Sequence, residues 1–330
     1  MRQEVRISAI VVGAAMGVLL SVPAGAQQRV SVYTAHTANI VERLIPEFEK
    51  ATGIKADVVK AGSGDIINRV KAEAANPKAD VIWSIGAELL EANAQLLEPY
   101  QPKEAAMIAD AFRTNGAWLP YTGILNVFVV NTRKLKPEEY PRTWMDLAQP
   151  RFRNQISAAD ADKSGSAYMQ LNTFLTIYGD NAAGWDKFKT VFRNLNISAS
   201  SGAVPRFVND GEASVGITLE DNAYLFLKNG GPVAIVYPED GTSVIADGMA
   251  LVRRAPNPAA GKAFIDWALS APTQDLVVQE LGRRPIRKDA KPAGALKPLE
   301  QIKLVNYDIK NAADKRREYI DKWNDLLQSR

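Results

Sequence analysis

The stretch RVSVYTAHTANIVERLIPEFEKATGI, Arg29 to Ile54, decides the fold. Arg29 to Thr34 is a strand-like run, Ala35-His36-Thr37 breaks it, and Val41, Leu44, Ile45 and Phe48 recur at helical spacing until Thr52-Gly53 stops them. The order then repeats. Ile54 to Lys60 reads as a second strand, Ala61-Gly62-Ser63-Gly64-Asp65 as a turn, and Ile66, Ile67 and Val70 as the apolar face of a helix ended by Asn76-Pro77. A third strand, Ala79 to Trp83, opens into Ser84-Ile85-Gly86-Ala87. Strand, loop and helix recurring in that order predict a parallel sheet wound with helices, whose ligands sit at the carboxyl ends of the strands. His36, Ser63 and Ser84 therefore share one rim.

Working outward, Trp118 to Val130 is nearly continuously apolar, interrupted by Pro120-Tyr121-Thr122-Gly123, and reads as an extended crossing and first hinge. A second α/β unit follows, with helices over 167–178 and 182–195, a short strand over 213–218, and a strand over 233–237 that can return toward the first unit. Residues 245–253 form one more strand, Asn257-Pro258 starts an amphipathic helix, Pro272 and Gly282 bracket the next, and 314–327 make the last. The expected division is 27–118 plus 245–287 for one lobe and 119–244 plus 288–330 for the other. A cleft lies between them.

Composition narrows the chemistry. The 330 residues are 46% hydrophobic and 23% charged, enough apolar material for one large or two ordinary packed domains, and the net charge of +3 gives no electrostatic footprint for nucleic acid. There is no Cys and His36 is the only His, so thiol nucleophiles, disulfides and Cys/His zinc clusters are excluded. No nucleophile elbow or phosphate-binding Walker loop is present, so no enzyme and no cofactor are expected. Arg2 and Arg6, the apolar run from Ile7 to Val22 and Ala24-Gly25-Ala26 read as a secretory signal peptide over 1–26, which predicts a periplasmic product starting near Gln27.

Several segments carry a family resemblance: "SVYTAH" at 31–36, the F-E-x-x-T-G-I stretch from Phe48 to Ile54, "ADVIW" at 79–83, "NPAAGKAFIDWALSAPTQ" at 257–274 and "LGRRPIRKDA" at 281–290. In order and spacing the chain resembles the type II periplasmic solute-binding proteins of ABC importers, in the branch that binds ferric ion, hexose phosphates or 2-aminoethylphosphonate. The resemblance implies a two-lobed, hinge-linked α/β fold, a small anionic ligand, an inner-membrane permease as partner, and a monomer. Ferric members hold an anion on a Ser-Gly-Ala-like turn, matched here by Ser164-Gly165-Ser166; a helix start with free N–H groups suits an anion on physical grounds too, and an ordinary helix cap is the plain alternative. The family's Tyr pair for iron is missing, since Leu219-Glu220-Asp221-Asn222-Ala223 stands there, so no metal site is expected.

The remaining candidates follow from hydrogen-bond chemistry. Glu220, Asp221 and Glu239 accept hydrogen bonds and suit sugar hydroxyls or an ammonium group. Ser201-Gly202 reads as a second anion cradle, and His36 and Thr37 as donors at a helix start. His36, protonated below its ordinary pKa of about 6.5, predicts tighter binding of a phosphorylated ligand at pH 6 than at pH 8. In Arg283-Arg284-Pro285-Ile286-Arg287-Lys288 the expectation is a solvated surface with one Arg packed inward. The leading reading is capture of a phosphorylated or phosphonate organic anion by hinge closure; ferric-ion capture is the alternative, and an exported hydrolase is the alternative of another class.

Overall fold

The computed structural model describes residues 27–114, 116–294 and 296–329. The expected signal peptide lies outside them. The opening strand and helix form as read: β1 (Arg29–Thr34) buries Val30 and Val32, and α1 (Ala38–Thr52) buries Ile40, Leu44 and Phe48 before Gly53, left-handed at φ 71°, ends it. Next come β2 (Lys55–Lys60), α2 (Ser63–Ala72), β3 (Val81–Gly86), α3 (Ala87–Glu91) and β4 (Leu97–Glu98). The second half of the chain supplies β5 (Leu119–Asn131), β6 (Ile156–Ala159), α4 (Gly165–Tyr178), α5 (Ala182–Phe192), β7 (Leu195–Ser198) and α6 (Ala203–Asn209). It continues through β8 (Val215–Leu219), α7 (Glu220–Lys228), β9 (Val233–Val236), β10 (Val244–Val252), α8 (Pro258–Leu269), α9 (Ala271–Leu281) and α10 (Ile309–Gln328).

The strands run in the order β2-β1-β3-β10-β5-β8-β6-β7, a two-lobed α/β architecture in which β5 belongs to both halves. Its first residues pair antiparallel with β10, and Asn126 to Val130 pair with β8 while Phe128 to Asn131 pair with β9. The Pro120 interruption is absorbed rather than breaking the strand: the ladder shifts register opposite it, between Asp247 and Gly248, where a missing N–H costs nothing. β9 does not return to the first unit as expected; β10 makes that crossing. The predicted helix over 182–195 also ends earlier, because Leu195 to Ser198 leaves α5 and pairs parallel with β6.

Each half has its own core. Val30, Val32, Phe48, Trp83, Phe264 and Ile265 pack in the first, with the Phe48, Trp83 and Phe264 rings meeting edge-on. The second gathers Phe128, Trp144, Phe174, Phe188 and Phe192 with Tyr319 and Trp323 from α10. Among the described residues no helix is long and apolar enough to cross a membrane.

Candidate functional site

β1 pairs parallel with β2 and β3, so the loops that follow these strands lie along one rim. β6 pairs parallel with β7 and β8, which lines up a second rim from the loops after those strands. Between the rims is a cleft of about 700 Å³, a size suited to a small organic solute. Nine of the residues expected at the site line it: His36, Thr37, Ser63 and Ser84 from the first rim, and Ser164, Gly165, Ser166, Ser201 and Gly202 from the second.

Ser164 is the N-cap of α4, accepting from the Ala167 N–H at 3.3 Å, and its Oγ lies 2.9 Å from that of Ser166. The plain cap is therefore present, and the stretch expected to hold an anion places two hydroxyls at the positive end of a 14-residue helix. The preceding loop is held from behind, with Trp323 Nε1 donating to Asp160 at 3.0 Å and Arg316 Nη2 to the Asp162 carbonyl at 3.2 Å. Ser201 and Gly202 line the cleft, where the sequence suggested a second cradle. The Ala203 and Val204 N–H groups are spent within the turn, donating to the carbonyls of Ser200 and Ser201. Gly202 also matters for approach, since a Cβ there would stand 2.8 Å from Thr37 Cγ2.

The expected carboxylates lie elsewhere. Glu220 is 1% exposed and gripped by Arg284, whose Nε and Nη2 donate to its two oxygens at 2.6 Å each, while the Tyr237 hydroxyl donates at 2.5 Å. Asp221, also buried, sits 2.8 Å from Arg283 Nε. Glu239 is exposed and paired with Arg142 at 3.1 Å. None of the three lines the cleft. The basic run is corrected with them: Arg283, Arg284 and Arg287 are all buried, each against carboxylates. After α9 stops at left-handed Gly282 the chain is extended, and adjacent side chains point opposite ways, Arg283 into the cleft and Arg284 to Glu220.

Arg283 organises the cleft floor. Its Nη1 donates to Asp247 at 3.0 Å and its Nη2 lies 3.2 Å from His36 Nδ1. A guanidinium only donates, so Nδ1 accepts and the imidazole hydrogen sits on Nε2. The ring stands edge-on to Trp83 at 4.4 Å and Tyr121 at 5.5 Å between centroids. Burial, with the Arg283 charge beside it, holds the His36 pKa well below its ordinary value, so His36 is a neutral donor across the pH range in which it was expected to switch. The expected gain in affinity at pH 6 therefore loses its basis in His36.

Asp247 was missed, as were Lys60, Lys163, Arg206, Asn222 and Arg283, all of which line the cleft. No local motif marks Asp247; what selects it is Ser84. That residue is the extra one where β3 shifts register against β10, and it adopts φ 59°, the left-handed region, which turns its Oγ onto Asp247 at 2.5 Å. Burial raises Asp247 to about 6 against the attraction of Arg283. A carboxyl with a raised folded-state pKa stabilises the fold below its unfolded pKa, and that contribution, about 3 kcal/mol, is lost as pH rises through about 6. Asp247→Asn removes the term. The stability of the variant relative to the parent is expected to rise between pH 4 and 7 in urea unfolding of the ligand-free protein; a difference that is flat with pH contradicts it.

The comparisons with known proteins agree with this geometry. Residues 30–280 match the bacterial extracellular solute-binding protein family. A periplasmic protein of Salmonella typhimurium named for 2-aminoethylphosphonate binding is 28% identical over 331 residues, covering 94% of this chain and 96% of its own. Iron uptake protein A1 of Synechocystis is 25% identical over 282 residues, covering 79% and 77%. Among solved structures, the periplasmic binding protein AfuA of Actinobacillus pleuropneumoniae, with fructose-6-phosphate bound, superposes with a TM-score of 0.86 at 26% identity over 92% of this chain and 99% of that one. The parallel-strand rims, the cleft between two halves sharing β5 and the match over 30–280 together place this chain in the bacterial extracellular solute-binding protein family, as a type II solute-binding protein of the ABC-importer kind.

Proposed function

We propose that the protein is exported to the periplasm, captures a small phosphorylated or phosphonate organic anion between its lobes, and delivers it as a monomer to an inner-membrane ABC permease. The observation that carries this reading is the charge of the cleft: Lys60, Lys163 and Arg206 face it, while Arg283 is answered by Asp221 and by Asp247, the one carboxylate among the described lining residues. Hydroxyls of Ser63, Ser164, Ser166 and Ser201 add donors that suit an oxyanion. With Glu220, Asp221 and Glu239 engaged elsewhere, the ligand's organic end meets Asn222, Asp247 and the apolar wall of Ile124, Leu225 and Phe226. The lobes divide at 118/119, 244/245 and 287/288, and closure about these crossings is a population shift driven by contacts from both rims.

Ferric capture finds little support in the side chains. Among the described residues no group of three His, Asp or Glu is placed to hold a metal ion, and no Tyr lines the cleft. The test is a thermal-shift and calorimetric panel on protein refolded free of ligand. Fructose 6-phosphate or 2-aminoethylphosphonate at one hundred times its Kd is expected to add about 2.7 kcal/mol to the unfolding free energy, with no stabilisation by ferric citrate. A coloured ferric complex with strong stabilisation, and none from the phosphorus compounds, overturns the reading.

A further inference from the structure

The loops of the two rims meet across the cleft at two separate places, each pairing one loop of the second rim with the first rim. On one side the start of α4 touches the first rim: a Cβ at Gly165 would stand 2.9 Å from Ser63 Oγ and 3.3 Å from the Gly86 nitrogen. On the other, Gly202 rests against Thr37 at the start of α1. Each pair has its own cations. Lys60 and Lys163 belong to the loops of the first pair, whereas Arg206 on α6 and Arg283 behind His36 belong to the second.

The second pair carries buried donors that the protein itself leaves without acceptors. Thr37 is the N-cap of the 15-residue α1 but makes no side-chain capping bond, and no acidic residue occupies the first turn. Its Oγ1 is buried without a partner, and so is His36 Nε2, on a residue 2% exposed that lines the cleft. Because Arg283 donates to Nδ1, the orphan at Nε2 is a hydrogen-bond donor, polarised by the positive charge behind it. A buried donor without an acceptor is costly to the fold. Here one sits beside the positive end of a helix dipole, and the nearby carboxylates of Asp221 and Asp247 are paired with Arg283 rather than with it. The start of α4 differs, since Ser164 already caps it.

We infer that the solute carries two acid groups, one held at the start of α4 by Ser164 and Ser166 with Lys163, the other at the start of α1 by His36 Nε2 and Thr37 with Arg206. The inference rests on the anion-capture reading above and narrows its ligand class to phosphorylated solutes bearing a second acid, carboxylate or phosphate. A zwitterion fits poorly: an ammonium group would face donors at the α1 end.

Matched pairs that differ in the second acid test this by isothermal titration of ligand-free protein: glycerol 3-phosphate against 3-phosphoglycerate, and fructose 6-phosphate against fructose 1,6-bisphosphate. The two-acid member is expected to bind at least tenfold more tightly in one pair or both, and His36→Gln combined with Thr37→Val is expected to erase that preference by weakening the two-acid member at least tenfold more than the one-acid member. Equal or weaker binding by the two-acid member in both pairs overturns the second site and leaves the capture reading standing. A preference that survives in the double variant also overturns it. If none of the four binds, the two-acid assignment falls, and the capture reading falls with it only if 2-aminoethylphosphonate also fails to stabilise the protein.

Discussion

Arg284→Met is expected to lower the unfolding free energy by about 3–5 kcal/mol, because it strands the Glu220 carboxylate in the interior without a counter-charge. Both side chains are 2% exposed and joined through two hydrogen bonds of 2.6 Å, and Arg284 also donates to the Lys297 carbonyl at 2.7 Å. Burying two charges is costly in itself, so the loss comes from breaking the pair rather than from any large net gain in having it. Replacing both partners with apolar groups of similar volume, Glu220→Leu with Arg284→Met, is accordingly expected to recover most of the stability, less about 1 kcal/mol for the Tyr237 hydroxyl left without its acceptor. Urea midpoints of the parent, the single and the double variants measure this. The same series separates structure from binding. Ligand affinity in the folded double variant is expected to stay within about twofold of the parent, since neither residue lines the cleft. A double variant that is stable yet binds a hundredfold more weakly shows that Glu220 meets the ligand after all.

That pair also marks where sequence reading stopped. The β1-α1-β2-α2-β3 run was legible because apolar period and Gly/Pro punctuation change at each boundary, and parallel pairing alone then carries His36, Ser63 and Ser84 to one rim. β6 and β7 were not legible: Ile156-Ser-Ala-Ala159 and Leu195-Asn-Ile-Ser198 are short, with small or polar residues, and become strands through pairing with each other and β8. The hydroxyl half of the site followed from topology. The acidic half did not, because Glu220 and Asp221 are claimed by arginines more than sixty residues away, and nothing near Glu220 announces Arg284. Asp247 was hidden for the converse reason. Its place depends on one bulged serine on a neighbouring strand, a backbone event with no composition signal.

Gly64→Ala separates capture from folding most directly. Gly64 is buried within α2, where alanine is the better helix former by about 0.5–1 kcal/mol. On local grounds the substitution should therefore help. Across the cleft it should not: a Cβ at Gly64 would stand 2.4 Å from the Asp162 carbonyl oxygen, and one at Gly62 would stand 2.3 Å from that of Lys163. These are backbone atoms of the loop that ends in Ser164-Gly165-Ser166, and the Gly64 N–H donates to the Lys163 carbonyl at 3.3 Å. The clash thus falls on the approach of the two rims rather than on either core. Overpacking of this kind costs about 1–3 kcal/mol, and a ligand that needs the approached state loses affinity in proportion to that state's population. Gly64→Ala is expected to weaken binding of the solute roughly 5- to 100-fold while leaving the urea midpoint of ligand-free protein equal or higher, and small-angle scattering with ligand should show a larger radius of gyration than the parent. A variant that binds normally would mean that this contact is not formed in the bound state. One that loses ligand-free stability by several kcal/mol would mean that the rims stay in contact without ligand, so that the seam belongs to the resting fold and closure happens elsewhere.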